Sequence, residues 1–358
     1  YFLTIKRTII AFINNMSIIK NFIKKILTNF GYTLRKNNNI EPENVFNNFN
    51  NDIAAIKSYV DSRLDYHHKR SPTVIRPGDL IFTHLTDGQR ILLDPSDLSM
   101  TLHVLESGNW EPYMVDFLRR QLKPDDVFVD VGSNIGLTSI YAKAFLYPIA
   151  GRPKKYKRIY CFEPVPETFE ILKKNAAAND FAYYSVLENM AVGNETKEIE
   201  FEQCSDFAAA SAKKISNTLK SVLKANFKTI KIKSTKLDDY FKKGTVINLI
   251  KIDVEGFESD VVLGAKRVIQ ENRDIALVIE WTPSILDEQN LGSHVDEATS
   301  FLESEKFRVF HIGSHIWVKD ELGGHAEELP VNAEVEITFE RFKELKKEKF
   351  SGDLVFKR

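Results

Sequence analysis

An aspartate, two glycines and a more distant glutamate carry the first chemical signal in this sequence. The segment Asp125–Thr138, DDVFVDVGSNIGLT, runs an apolar strand into Asp130, then a tight turn with Gly132 and Gly136, then the start of a helix. Glycines in such a turn let the backbone approach a ligand, and a helix N-terminus offers N–H groups that lack intrahelical partners. An ordinary strand–turn–helix corner has the same outline. A second acid argues for more than that. Glu163 closes the next strand, in RIYCFEP, 27 residues after Gly136. A carboxylate at the tip of the second strand of such a sheet can bind both hydroxyls of a ribose.

Two ligand classes present that ribose, and charge separates them. A dinucleotide site wants G-x-G-x-x-G, with its middle glycine making room for pyrophosphate. Here the middle position is Asn134, and Asp130 precedes the first glycine by two residues. An aspartate repels a pyrophosphate and attracts the ammonium group of a methionine moiety. The pattern therefore favours S-adenosylmethionine over a nicotinamide dinucleotide.

These motifs resemble the FkbM-type S-adenosylmethionine-dependent methyltransferases. The resemblance spans roughly residues 105–285 and rests on motifs in the family's order. They are GNWEP (Gly108–Pro112), DVFVDVGSNIG, CFEPVPETFEILKKNAAAND (Cys161–Asp180), ENMAVG (Glu188–Gly193), the pair Leu237–Asp238, and NLIKIDVEGFESDVVLGA (Asn248–Ala265). A strand ending in Glu280 closes the set. Ser133 stands where the family commonly has alanine; both are small, so binding should survive. The resemblance implies an α/β, Rossmann-like class I methyltransferase fold, with a mostly parallel seven-stranded sheet and helices on both faces. It also implies an O-methyltransferase acting on a hydroxyl of a glycan or glycolipid sugar.

The resemblance further implies site roles. Asp130, Gly132, Ser133, Asn134 and Gly136 cradle the methionine end of the cofactor, and Glu163 holds the ribose. Asn189 and Ala191 follow the third strand and lie near the adenine. Glu111 either contacts the cofactor's amino acid end or closes the pocket, or is simply an acid at a helix N-terminus, favoured by the macrodipole. Asp253 ends the fourth strand, at the carboxyl edge where such sheets hold ligands. Methyl transfer to a hydroxyl needs alignment and proton removal. Asp253 and Glu255 are the acids expected to orient or deprotonate the acceptor, with Asp253 also touching the cofactor. A divalent cation at Asp253 is the alternative, but no companion acid pair has clear ligand spacing, so no metal is expected. Glu258 reads as structural. Glu280 is expected on the acceptor side, with Lys251 as its alternative buried partner.

The elements that must position these residues follow from pattern. From about residue 75, strands alternate with helices, which argues for a largely parallel sheet. The strands are Val127–Val131, Arg158–Phe162, Tyr184–Leu187, Val246–Ile252 and Ala276–Glu280, separated by helices including Pro166–Asn179 and Phe257–Asn272. Glu198–Glu202 and Thr229–Ser234 bracket an insertion at about 205–236. Strands Arg308–His311, His315–Val318 and Asp353–Phe356 complete the expected methyltransferase domain, 75–358. Between Phe207 and Lys236 lie eight lysines and no acid. They read either as a solvated loop or as a surface for an anionic acceptor.

The first 74 residues have another character. Residues 1–40 carry a charge of +7, against -8 for the rest. Met16 is a plausible natural start, which would place residues 1–15 upstream of it. Within Ser17–Phe30, Ile19, Phe22, Ile23, Ile26 and Phe30 share one helical face while Lys20, Lys24 and Lys25 avoid it. Such a helix can lie in a membrane interface or dock on the protein's own core. Eight asparagines among residues 37–51 make a linker, and 52–70 look helical. The chain thus divides into a basic helical segment (1–36), an Asn-rich linker and helix (37–74) and the methyltransferase domain.

Composition closes off other classes. With 358 residues, 43% apolar and 28% charged, the chain can bury a full core and is not disordered. A net charge of -1 argues against a uniformly basic nucleic-acid binder, and the lack of a D/N-P-P-Y motif argues against methylation of an exocyclic amine of a base. No run of about 18 apolar residues marks a membrane span. The two cysteines, Cys161 and Cys204, fit neither a disulfide scaffold nor a zinc site. The expected location is cytoplasmic, peripheral to a membrane if the basic helix inserts. Two rival functions remain: a nicotinamide-dependent oxidoreductase on a related sheet, and a non-catalytic membrane-associated module.

Overall fold

The computed structural model describes residues 80–147, 158–204, 227–281, 292–320, 323–328, 334–347 and 351–358. The basic segment 1–36, the Asn-rich linker and helix of 37–74, and residues 205–226 of the lysine-rich insertion lie outside the described residues. The chain divides into two compact units, with the boundary between Trp110 and Glu111.

In the first unit, β1 (Ile81–His84) and β2 (Arg90–Leu93) pair antiparallel. Helix α1 (Leu98–Ser107) follows. Asp97 caps its start by accepting from the Met100 N–H at 3.2 Å, and Gly108 ends it.

The second unit holds the large sheet. Its elements are α2 (Pro112–Gln121), β3 (Phe128–Val131), α3 (Leu137–Leu146), β4 (Ile159–Phe162), α4 (Pro166–Ala178), β5 (Ser185–Glu188), β6 (Ala191–Val192), β7 (Lys197–Cys204) and β8 (Phe227–Thr235). Then come the short helix α5 (Leu237–Tyr240), β9 (Leu249–Ile252), α6 (Glu258–Leu263), α7 (Lys266–Glu271), β10 (Ala276–Trp281) and α8 (Gly292–Ser304). The C-terminal part is β11 (Arg308–Asp320), β12 (Gly323–Glu328), β13 (Val335–Ile337), α9 (Phe339–Lys347) and β14 (Ser351–Lys357).

The sheet order is β12-β11-β14-β10-β9-β3-β4-β5, with β13 paired to β11. From β5 to β10 every ladder is parallel. Strand β14 enters antiparallel between β10 and β11. The expected seven strands are present, and β12 and β13 bring the described sheet to nine. The predicted strands at 308–311 and 315–318 join as one long β11, with a register shift between Ile312 and Trp317. From β3 the chain winds out through β4 and β5, and later returns to place β9 on the other side. The crevice above β3 and β9 is therefore the topological switch point, where open parallel sheets bind ligands.

Apolar runs explain the buried middle. All four residues of β3 and of β9 are buried, as expected for strands covered on both faces. Leu237, Val261, Val262, Ile269 and Trp281 pack in the same core. Asp238 of the Leu–Asp pair accepts from the Arg267 and Val268 N–H groups at 2.9 Å each, which caps α7.

The helix predicted over Phe257–Asn272 is split into α6 and α7 by Gly264 and Ala265. A Cβ on Gly264 would lie 2.0 Å from the Gly193 carbonyl oxygen, so only glycine lets the α6–α7 corner meet that loop. Gly264→Ala is expected to cost about 2–3 kcal/mol, read as a lower urea midpoint at unchanged m.

Candidate active site

Three loops meet at the carboxyl ends of β3, β4 and β9. After β3, the Gly132 and Ser133 N–H groups donate to the Phe162 carbonyl at 3.0 and 2.9 Å. Glu163 then ties two loops together. Its Oε2 accepts from Asn134 N at 3.0 Å and its Oε1 from Val165 N at 2.8 Å. The Asn189 amide donates to the Glu163 and Pro164 carbonyls at 2.9 and 3.1 Å, adding the loop after β5. Asp253 N donates to the Val131 carbonyl at 3.0 Å, which fixes the loop after β9.

The cleft these loops enclose has about 1000 Å³ of space, including its open mouth. Gly132, Asn134, Glu163, Ala191, Asp253 and Glu255 line it. Its apolar wall includes Phe162, Val165, Met190, Ile199 and Phe201, of which the last two come from β7 in a small sheet of order β6-β8-β7. Asp130, Ser133, Gly136, Glu111 and Asn189 do not line this cleft. Asp130 is wholly buried behind it, its Oδ2 accepting from Ser139 Oγ at 2.6 Å. Burial raises the Asp130 pKa, opposed by Lys251 and by the Ser139 hydrogen bond. Glu111 occupies the cap position of α2 at φ 45° without making a side-chain cap bond. Its carboxylate acts electrostatically on Lys251 and Tyr113.

The acids around Asp253 differ in charge state. Lys251 is 5% exposed, and its Nζ donates to Asp253 Oδ2 at 2.8 Å. Burial opposes the charge on Lys251, but Asp253, Asp130 and Glu111 outweigh it and hold the ammonium protonated. Burial likewise opposes ionised Asp253, but Lys251 and a hydrogen bond from Glu280 keep it below the usual carboxylate range. Lys251 is thus the partner of Asp253, and the alternative pairing of Lys251 with Glu280 is replaced by a Glu280–Asp253 hydrogen bond. Glu255, at φ 53°, is pushed up to about 8 by burial and by Asp253 and Glu258. Glu258 is structural: its Oε1 accepts from Gly256 N at 2.9 Å and Val254 N at 3.3 Å. Cys161 is buried in β4 and its thiol is pushed up by burial.

Burial raises Glu163 and Glu258 to about 7, Glu255 to about 8 and Asp353 to about 6. Each folded-state value lies above its unfolded one, so the native state binds more protons across that window. Stability is then fullest below about pH 4.5 for these groups and falls as pH rises through 6–8. The expected result is a lower Tm at pH 8.5 than at pH 6; a flat or rising Tm over that range would contradict these burial assignments.

The lining acids are Glu163, Glu195, Asp253, Glu255 and Asp260, and no lysine, arginine or histidine lines the cleft among the described residues. That set suits a cation and offers nothing to a pyrophosphate. The buried Asn134 Oδ1 has no hydrogen-bond partner among the described residues, leaving an acceptor atom in the cradle. S-adenosylmethionine, with its ammonium and sulfonium, fits this donor and charge set.

Residues 130–309 match the methyltransferase FkbM domain. The chain belongs to the FkbM methyltransferase family. It is a methyltransferase, and S-adenosylmethionine is its methyl donor. The hexuronic acid methyltransferase AglP of Haloferax volcanii is 26% identical over 206 residues, covering 57% of this chain and 76% of that protein. The 2-O-methyltransferase NoeI of Sinorhizobium fredii is 29% identical over 163 residues, covering 43% of this chain and 63% of that protein. Among solved structures, the Bacillus cereus O-methyltransferase in complex with SAH aligns over 69% of this chain and 81% of its own, with 10% identity and a TM-score of 0.34.

Tyr113 and Asp353 were not visible as site residues in the sequence. The Tyr113 hydroxyl donates to Asp353 Oδ2 at 2.8 Å beside Glu280. Tyr113 follows the GNWEP motif directly, which is a usable signal; Asp353 lies in the last strand and has none. The lysine-rich segment also changes meaning. In its described part, Lys231 pairs with Glu198 at 3.5 Å and Lys236 with Asp239 at 3.5 Å, while Lys233 lies opposite Glu198 in the β7–β8 ladder. The matching acids Glu198, Glu200 and Glu202 come from a strand outside the acid-free window.

Proposed function

We propose that this FkbM-family enzyme methylates a hydroxyl group on a carbohydrate acceptor. The observation that carries the reading is the contrast between two neighbouring acids on one wall of the cleft. Asp253 is held ionised by Lys251, while Glu255 is pushed up to about 8. Titratable neighbours whose surroundings drive their pKa values apart commonly divide the work of acid–base catalysis.

When bound, S-adenosylmethionine supplies an electrophilic methyl carbon on a sulfonium that departs as a neutral thioether. The chain's own residues do the rest. Asp253 accepts a hydrogen bond from the acceptor hydroxyl and orients its oxygen. As the new O–C bond forms, that single hydroxyl proton leaves its hydrogen bond to Asp253 and passes to Glu255; a base that titrates near neutral pH is suited to that step. Glu163 binds the ribose hydroxyls, and Gly132 and Asn134 face the methionine end, while Asp130, Ser133 and Gly136 hold the turn without lining the cleft. Met190 and Ala191 flank the adenine, and Asn189 holds their loop through the Glu163 and Pro164 carbonyls. Two relatives described as a hexuronic acid methyltransferase and a 2-O-methyltransferase support a sugar hydroxyl as the target.

The test is a glycan array incubated with radiolabelled S-adenosylmethionine. Base-stable label in sugar methyl ethers is the expected result. Label confined to base-labile esters, amines or nucleic acid would replace this reading.

Glu163→Gln puts an amide N–H against the Asn134 or Val165 N–H, so SAH affinity should fall at least about tenfold by calorimetry. In the wild type, ionised Glu163 is the better acceptor for ribose hydroxyls, and its raised pKa of about 7 makes SAH binding tighten from pH 6 to pH 8. Affinity independent of both changes would remove Glu163 from the ribose site.

Residues 17–30 support peripheral contact with an anionic membrane surface. No helix among the described residues is long and apolar enough to cross a membrane. Vesicle sedimentation with and without residues 1–36 tests this contact, with loss of pelleting expected in the shorter form.

A further inference from the structure

Asp253, Glu280 and Asp353 stand side by side at one level of the sheet. Ile252 pairs with Ile279, so Asp253 and Glu280 are each the next residue of adjacent parallel strands. Glu280 pairs directly with Asp353 across β10 and β14. Glu280 hydrogen-bonds Asp253, whose other partner is Lys251 at 2.8 Å. Asp353 accepts from the Tyr113 hydroxyl at 2.8 Å. Glu280 therefore sits between two carboxylates. The charged and titratable groups that face it are Lys251 from β9, Asp253 and Glu255 from the following loop, Asp353 from β14 and Tyr113 from α2. Only Lys251 among them is a cation, and its ammonium is directed to Asp253.

Like charges directly opposite on neighbouring strands are destabilising, and two carboxylates within hydrogen-bond contact cannot both ionise near neutral pH. A hydrogen bond between Glu280 and Asp253 needs one proton. Lys251 stabilises the negative charge on Asp253, so the proton belongs to Glu280.

We propose that Glu280 is a positioning residue, a neutral carboxyl that donates to Asp253 and, with Lys251, keeps Asp253 ionised and aimed at the acceptor hydroxyl. Glu280 does not line the cleft and acts only through Asp253. The pKa of Glu280, raised to about 12 chiefly by Asp253 and then by burial, agrees with a carboxyl that holds its proton at every working pH. The inference rests on the methyl-transfer reading of Asp253 and Glu255.

The test compares Glu280→Gln with Glu280→Ala in the full-length protein. Glutamine is neutral, similar in size, and keeps an N–H donor for Asp253. It should hold kcat within about threefold of wild type, because a neutral donor is all that the position supplies. Alanine removes the donor, so kcat should fall at least about tenfold, and the second, lower inflection on the acid side of the kcat profile, below the one set by Glu255, should move to higher pH as the Asp253 pKa rises. Both variants should bind SAH within about threefold of wild type, since the cleft lining is unchanged.

A glutamine variant as inactive as the alanine variant would overturn the proposal, because charge at Glu280 would then be required. An unshifted lower inflection in Glu280→Ala would also overturn it, reducing Glu280 to a packing role. Failure of the underlying reading looks different: Asp253→Asn would retain full turnover whatever the Glu280 variants do.

Discussion

Asp253→Asn is expected to lower kcat by about 10²–10⁴-fold while SAH affinity stays within a few-fold, since oriented proton handling is worth about that much. Asparagine keeps the size of the side chain and an oxygen to accept from Lys251 Nζ. It loses the charge that orients the acceptor hydroxyl and sets the environment of Glu255. The choice of asparagine follows from the burial of Lys251. Asp253→Ala would leave that ammonium without its 2.8 Å partner, and removing one member of a buried pair costs about 3–5 kcal/mol. An alanine variant would therefore mix unfolding with lost chemistry. Single-turnover kinetics with pre-bound donor separates them. Near-normal turnover in Asp253→Asn would take this residue out of the mechanism and leave Glu255 to act alone.

The second large effect is at Gly132. Its φ is +80°, and a Cβ there would lie 1.7 Å from the Asp253 carbonyl oxygen. That contact is with backbone, so no side chain can yield. Gly132→Ala must push the ends of β3 and β9 apart, which displaces Asn134 and Asp253 together. The expected loss is about 4 kcal/mol of stability and at least about a hundredfold in SAH affinity, from the combined strain and overlap. Ser133→Ala is the control one residue on. It gives up a 2.7 Å bond from Ser133 Oγ to the Asp130 carbonyl and should bind SAH within about threefold. Thermal melts and calorimetry read both variants. Normal SAH affinity in Gly132→Ala would show that the ligand does not use this loop.

Much of the site is legible in the order of residues alone. The acid–turn–glycine segment around Asp130, the distant Glu163 and the DVEGFE box each carry local constraints. Glycine at 132 answers a backbone requirement, and the apolar residues at 249 and 250 follow from burial on both faces of β9. Lys251, inside that apolar run, marks a buried charge without revealing its partner. Local pattern also locates the strands to within a few residues, although Val246 is 63% exposed and β9 begins only at Leu249.

Other features depend on which strands become neighbours. The alternating α/β order, the glycine-bearing turn after β3 and the acids at the tips of β3, β4 and β9 are written in the sequence, because each is specified by residues close together in the chain. That Glu280 meets Asp353, 73 residues later in the chain, emerges only on folding. So does the place of Asp130 behind the cleft, and the match of Glu198 with Lys231. Such contacts are set by strand order and register, in which β14 inserts between β10 and β11. No local spacing encodes that insertion, and a charge in the buried sheet acquires its meaning only from the strand placed beside it.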